Sequence, residues 1–261
     1  MDVTSVIALI VTGLIAGTLG GLLGIGGCVI MLPSLVFLFR YPLPVAIGTT
    51  ITAVILTATS GAIGHIRMKN VDYSTAKVVA VSGAVGAAVG SVIFFYIASQ
   101  LWLLNFILGF AFLYVSIRMV YEGIVKRKMP EKSGNVVPGS KVAKATIGFF
   151  IGIITGIVGL GGGYALVPSF IYLLSSPVKI AVGTSLASFI SMAVVSGAFK
   201  LYQGVVDVIA AICLGVGTII GAQIGARLTK IVPAWAIKAI FGFVFLYVSL
   251  KFIWQGYVSL V

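Results

Sequence analysis

Acidic side chains are nearly absent from this chain. Asp2, Asp72, Glu122, Glu131 and Asp207 are the only five in 261 residues, beside a single histidine, His65. All of them fall at the ends of apolar stretches or between them. A relay of carboxylates inside a membrane would need acids in mid-stretch. An enzyme would need a grouped base, nucleophile or metal set. Neither is visible, so the expectation is a non-enzyme with no cofactor and no metal. Cysteine is scarcer still. Cys28 and Cys213, each inside an apolar run, offer no disulfide framework and no metal site. Charge of either sign is thin, at 8% of residues, where a soluble domain carries roughly 25%. Such a chain has no surface to present to water, which excludes a soluble fold.

What is abundant is apolar. Hydrophobic residues make up 60% of the chain, with 33 glycines and a mean hydropathy of +1.22. Glycine is commoner in membrane helices than in soluble ones. The apolar stretches are continuous rather than alternating in short segments, which argues against a β-barrel. The class is therefore an all-α polytopic transmembrane helical bundle, with the lipid bilayer as a partner. The formal charge of +12 does not point to nucleic acid, because no folded soluble region exists to carry such a surface. Lys and Arg at the ends of spans are an orientation signal instead. Met1-Asp2 precedes the first apolar run with no basic region, so the first segment reads as a retained helix and not a cleaved signal.

The chain also repeats itself. Gly24-Ile25-Gly26-Gly27-Cys28 followed by Pro33 returns as Gly159-Leu160-Gly161-Gly162-Gly163 followed by Pro168. Ala46-Ile47-Gly48-Thr49-Thr50 returns as Ala181-Val182-Gly183-Thr184-Ser185, at the same offset of 135 positions. Phe112-Leu113-Tyr114-Val115-Ser116 returns at Phe245-Leu246-Tyr247-Val248-Ser249 with the offset slipped to 133, and Trp102 and Trp235 share that offset. Ten apolar segments follow, at 3–23, 27–39, 46–64, 77–98 and 102–122, then 146–159, 163–174, 181–200, 207–226 and 234–256. That is two repeats of about five helical segments, an N-terminal repeat over 1–122 and a C-terminal repeat over 146–261, joined by a basic linker over 123–145. Such duplication is the pattern of a transporter whose site lies between the halves.

Segments 27–39 and 163–174 are too short to cross about 30 Å of hydrocarbon, which takes about 20 residues. Each follows a glycine run and contains a proline, the pattern of a broken or re-entrant helix. Irregular backbone at that depth must be buried in protein or face a water-filled cavity.

Orientation follows from the basic residues. With the linker taken as cytoplasmic, all of them but Arg40, Lys200 and Lys251 fall on the cytoplasmic side. Both termini then lie outside. Matching loops carry opposite bias: His65-Ile66-Arg67-Met68-Lys69 is basic and its counterpart Lys200-Leu201-Tyr202-Gln203-Gly204 less so, while Ala98-Ser99-Gln100-Leu101-Trp102 is neutral and its counterpart around Arg227 and Lys230 is basic. Opposite bias means opposite orientation, hence inverted repeats. Arg67, Lys69 and Lys200 read as anchors at the membrane interface, and Trp102 and Trp235 as markers of its two surfaces.

The polar groups left at depth are Ser, Thr and backbone, which favours an anion as cargo. A helix that starts inside the membrane has free N–H groups and a positive dipole end, and such an end binds oxyanions. The candidate substrate-binding residues are Gly26, Gly27, Cys28, Thr49 and Thr50 in one half and Gly161, Gly162, Gly163, Thr184 and Ser185 in the other. Close helix packing is the other use of such glycines, and Gly86, Gly90, Gly221 and Gly225 read that way.

The doubled Gly-x-Gly-Gly-(Cys/Gly)…Pro motif at 24–33 and 159–168, the Ala-(Ile/Val)-Gly-Thr-(Thr/Ser) motif at 46–50 and 181–185, and the basic central linker resemble the sulfite exporter TauE/SafE family. The likeness covers almost the whole chain. It implies transport of a sulfur-containing anion, such as sulfite or an organosulfonate, across a prokaryotic cytoplasmic (inner) membrane. The expected mechanism is alternating access between the two repeats. An anion channel with a fixed pore and a non-transporting membrane scaffold or sensor stand as alternatives. A coupling ion, proton or sodium, is open on this reading, and so is the number of subunits.

Overall fold

The computed structural model describes residues 2–23, 25–125, 134–160, 162–228 and 234–260. Among them every regular element is helical: α1 Val3–Leu23, α2 Cys28–Pro33, α3 Leu43–Arg67, α4 Tyr73–Ile97, α5 Leu101–Ile124, α6 Lys141–Val158, α7 Gly163–Pro168, α8 Val178–Tyr202, α9 Val208–Leu228 and α10 Ala234–Val258. A π turn continues each short helix, Ser34–Leu38 after α2 and Ser169–Leu173 after α7. Element for element, the second five repeat the first. Among the described residues seven helices are long and apolar enough to cross a membrane, consistent with the expected polytopic bundle. With its π turn, each short helix (Cys28–Leu38 and Gly163–Leu173) is about 16 Å long, half the hydrocarbon thickness.

Four helices begin three to five residues earlier than expected, α4 among them at Tyr73. α3 and α8 start directly after Pro42 and Pro177, which take the N-cap positions, and Pro44 lies in the first turn of α3. Proline there loses nothing, because the first helical N–H groups have no partner in any case; its presence signals a start as readily as a break. α6 begins at Lys141, inside the stretch read as linker. Ser140 caps it, its Oγ accepting the Ala143 N–H at 3.2 Å. Of the stretch 123–145, the basic run at 126–133 lies outside the described residues.

The chain forms two compact units, and each draws on both repeats. The first comprises Met1–Phe94 and Glu131–Leu228, the second Phe95–Pro130 and Thr229–Val261. The repeats are thus units of sequence and not of compactness.

Glycine sets the packing in the first unit. A methyl group at Gly17 would strike the Thr218 backbone, one at Gly221 the Leu14 carbonyl and one at Gly225 the Thr18 carbonyl. α1 and α9 therefore touch backbone to backbone, and residue numbers rise together along the seam, so the two helices are parallel. Its repeat equivalent, α6 against α4, is built alike: Gly86 meets Phe149, Gly90 meets Ile153 and Gly156 meets Ala87. Where a helix packs on its own copy, the sense reverses. Gly48 of α3 meets Val205 just past α8, Gly61 meets Leu186, and Gly183 of α8 meets Asn70 just past α3. In the second unit, Gly109 of α5 meets Ile253 and Gly242 of α10 meets Val120. Helices running antiparallel to their own copies are related by a two-fold axis lying across them. The repeats are inverted. The same reversal puts Trp102 and Trp235 at opposite ends of the α5/α10 pair. Phe112, Phe245 and Phe252 fill the core of that pair.

Replacing Gly90 or Gly225 with alanine is expected to cost about 1–3 kcal/mol, the usual range for overpacking. The thermal midpoint of the detergent-solubilised protein measures it. Gly64→Ala is the control, since a methyl there has its nearest neighbour at 3.5 Å; an equal loss in the control would remove the assignment.

Candidate functional site

Two chain breaks organise the centre of the first unit. Gly26 and Gly27 both adopt left-handed backbone, with φ of 75° and 74°, a conformation that favours glycine. A methyl on Gly27 would also sit 2.6 Å from the Ala16 carbonyl oxygen. The Gly27 carbonyl then accepts the N–H groups of Ile30 and Met31, opening α2. In the second repeat, Gly159 makes the left-handed turn at 65° and ends α6, its N–H bonded to Thr155. The Gly162 carbonyl accepts from Ala165 and Leu166 and opens α7.

Both breaks face one side chain. A methyl placed on Gly26 would lie 3.6 Å from Phe189 Cε1 and 3.5 Å from Val54 Cγ1. One placed on Gly162 would lie 3.0 Å from Phe189 Cδ2 and 3.3 Å from Met192 Sδ. Those two ring atoms are para to each other, so the glycine breaks flank the ring at opposite edges. Phe189 is fully buried and stands midway along α8. Val54, its counterpart at 135 positions' distance, stands midway along α3. Positions four before and three after share their helix face: Thr50 and Thr57 on α3, Ser185 and Met192 on α8. The Thr50 and Thr57 hydroxyls are fully buried and have no hydrogen-bond partner. Ser185 Oγ donates to the Val182 carbonyl at 2.8 Å. Cys28 is fully buried, its thiol 3.4 Å from the Ile25 carbonyl oxygen.

Of the sequence-based candidates, the structure therefore brings Gly26 and Gly162 to one ring. Gly27, Cys28 and Gly163 adjoin them, and Thr50 and Ser185 lie on the flanking faces. Gly161 lies outside the described residues. Thr49 and Thr184 do not meet. Thr49 Oγ1 accepts the backbone N–H of Asp207, and Thr184 Oγ1 that of Asp72, each at 2.9 Å. These equivalent bonds tie the starts of α9 and α4 to opposite ends of the α3/α8 pair.

The two loop acids complete those ties. Asp207 accepts from the Ala210 N–H and the Tyr41 hydroxyl; burial first, then this bond, push the Tyr41 phenol up. Asp72 accepts from the Ser74 and Thr75 N–H groups, the Thr75 hydroxyl and the Val137 N–H. Burial pushes its carboxyl up, but the bonds from Thr75 and Val137 outweigh that and hold it below the ordinary 3.8. Lys144, expected in a solvated linker, is buried and donates to the Val137 carbonyl.

Lys200 requires a further correction. The expectation of an interface anchor fails there, since Lys200 is fully buried; Arg67 and Lys69 are exposed. Sequence reasoning missed Lys200, Phe189 and Thr57. For Phe189 a signal existed, since it lies one helical turn after the Thr184-Ser185 motif and thus on the face of Ser185.

The centre therefore offers helix starts and hydroxyls around a ring, with no carboxylate among its described residues. Donors without acids suit an anion. Residues 9–252 match the family described as sulfite exporter TauE/SafE. The chain belongs to this family. Among its relatives, the probable membrane transporter protein YunE of Bacillus subtilis is 28% identical over 98% of this chain and 100% of its own length. A probable membrane transporter protein of Xylella fastidiosa is 29% identical over the whole of both chains, and YdhB of Bacillus subtilis 28% identical over 85% of this chain and 90% of its own. No solved structure matches. This TauE/SafE protein is an integral membrane protein of a transporter family, and the doubled motifs that mark it are the ones that build the two breaks.

Because Asp72 is held below its ordinary value, its stabilisation is present above about pH 4 and is lost as pH falls through the folded value. Asp72→Asn is expected to lower the thermal midpoint at neutral pH and to flatten its fall on acidification. A variant as acid-sensitive as the parent would refute this.

Proposed function

We propose that this TauE/SafE protein carries a small oxyanion, sulfite or an organosulfonate, by alternating access of its inverted repeats. The observation that carries the reading is the convergence of two glycine-opened helices on opposite edges of the Phe189 ring, at mid-depth of α3 and α8. Gly26, Gly27, Cys28, Gly162 and Gly163 present backbone to the cargo there, with Gly161 in the same run. Thr50 and Ser185 add hydroxyls. Thr57, buried and unpaired, joins them, and Thr49 and Thr184 shape the site from its two ends. The Phe189 ring occupies the place where the two approaches meet and acts as the barrier between them. Inverted repeats suit this mechanism, because exchanging the conformations of the two halves turns an inward-open carrier into an outward-open one. The same reading puts the protein in a prokaryotic inner membrane with both termini outside and the linker in the cytoplasm, as the distribution of basic residues supports.

Flux of sulfite, sulfate and 2-hydroxyethanesulfonate into proteoliposomes tests the cargo. Saturable uptake of sulfite or the sulfonate is expected, and no saturable flux of any of them from folded protein would sink the proposal. Phe189→Ala is expected to raise downhill anion leak by about tenfold, as removal of ~1.4 kcal/mol of barrier would, measured as efflux from preloaded vesicles. Unchanged efflux would dismiss the ring as a barrier.

A further inference from the structure

Among the described residues Lys200 has no acid to answer it. Its Nζ lies 2.9 Å from the Gly156 carbonyl oxygen of α6 and 3.3 Å from the centre of the Phe94 ring of α4. Ser196 lies one turn before it on α8 and is 3.4 Å from Ser91 of α4. Among the described residues, the one ion pair is Arg118 with Glu122. Asp207, the acid nearest in sequence, is held by Tyr41 and the Ala210 N–H. The ionisable groups of the packed elements stand elsewhere. His65 and Arg67 are at the far end of α3, and Lys179 at the far end of α8 itself. Lys144 is about 18 Å along α6 from Gly156, with Lys141 beyond it, and Lys77 is about 25 Å along α4 from Phe94. Tyr164 and Tyr172 belong to α7 and its π turn. Arg40 and Lys69 are exposed.

The contacts suit both forms of the nitrogen. An ammonium keeps one carbonyl bond and the face of a ring, which attracts a cation. An uncharged amine keeps the same carbonyl bond and leaves no buried charge unanswered, whereas an unpaired ammonium in a membrane interior is costly. The repeat shows the position is no accident of one helix. His65 is the equivalent of Lys200 at 135 positions' distance, and Gly21 of α1 is the equivalent of Gly156 of α6. His65 is 2% exposed, both its ring nitrogens lack a hydrogen-bond partner, and it faces the Gly21 carbonyl. Each repeat buries one ionisable side chain at this equivalent position of α3 or α8.

We propose that Lys200 couples the cargo to a proton. Its Nζ takes one proton from water on the side where a monovalent anion enters and releases it to water on the other side as the anion leaves. The loaded carrier thus moves an ammonium with an anion, and the empty carrier returns with a neutral amine. This rests on the anion-transport reading.

The test uses the full chain in proteoliposomes with radiolabelled 2-hydroxyethanesulfonate, whose charge does not change over the range used. A gradient of one pH unit, acid on the supply side, is expected to drive about tenfold accumulation by the parent protein. Lys200→Met and Lys200→Arg should lose that accumulation and keep exchange of labelled for unlabelled sulfonate; a guanidinium does not give up its proton. Accumulation by Lys200→Met at the parental level overturns the assignment. Nitrogen NMR of lysine-labelled parent protein, with the Nζ signal identified by its loss in Lys200→Arg, guards against a variant that fails to fold. The signal should move between ammonium and amine positions within about pH 5–9, and an ammonium signal throughout overturns the proposal. A parent protein that moves neither sulfite nor the sulfonate overturns the transport reading itself, an outcome distinct from both.

Discussion

Backbone-to-backbone contact along glycine seams is the constraint on which this architecture rests. Lipid tails are as apolar as leucine, so helices in a membrane gain little from hiding apolar side chains and much from close approach. α1 has no room for a methyl group where it meets α9, nor α6 where it meets α4. Each seam joins an element of one repeat to an element of the other. The duplicated halves therefore interlock, and the depth of each glycine break follows from the seam beside it. Gly20, on α1, would strike Gly27 if it carried a methyl, so the first break is seated directly on the helix that the α1/α9 seam holds.

The scarcity of acids acquires a use in this setting. Asp72 and Asp207 are committed to equivalent loop ties, with Thr184 and Thr49 holding their own N–H groups. Among the described residues no acid stands at the breaks, which suits the proposed negative guest. Buried hydroxyls without partners are costly, so Thr50 and Thr57 mark a place where the protein keeps hydrogen-bonding capacity in reserve. Phe189 divides that place in the conformation described.

Much of this was legible in the sequence, and for physical reasons. The short broken helices showed because glycine runs and a half-length apolar stretch leave few other structures open at membrane depth. Inversion showed because basic residues mark membrane sides, and the antiparallel pairing of α3 with α8 and of α5 with α10 agrees. What stayed hidden depends on three-dimensional packing. The early starts of α3 and α8 after Pro42 and Pro177 stayed hidden because proline punctuates both ends of helices. Lys144 and Lys200 read as solvated because lysine usually is; only the neighbours, a carbonyl for each and a ring for one, show otherwise. The compact units were hidden because repeats record duplication, whereas compactness records who touches whom. Thr49 and Thr50 are adjacent in one motif, yet a turn of 100° between successive residues sends one to a loop tie and the other to the face of Val54.

The two halves are copies that have drifted apart at the places that matter. Gly27 is left-handed where Gly162 is not; Cys28 answers Gly163, Val54 answers Phe189 and His65 answers Lys200. A carrier made of identical twins would open to either face with equal ease. Here the bulky ring and the lysine both belong to the second copy, so under the proposed alternating access the two open states would be unequal in energy and the resting carrier would favour one side of the membrane.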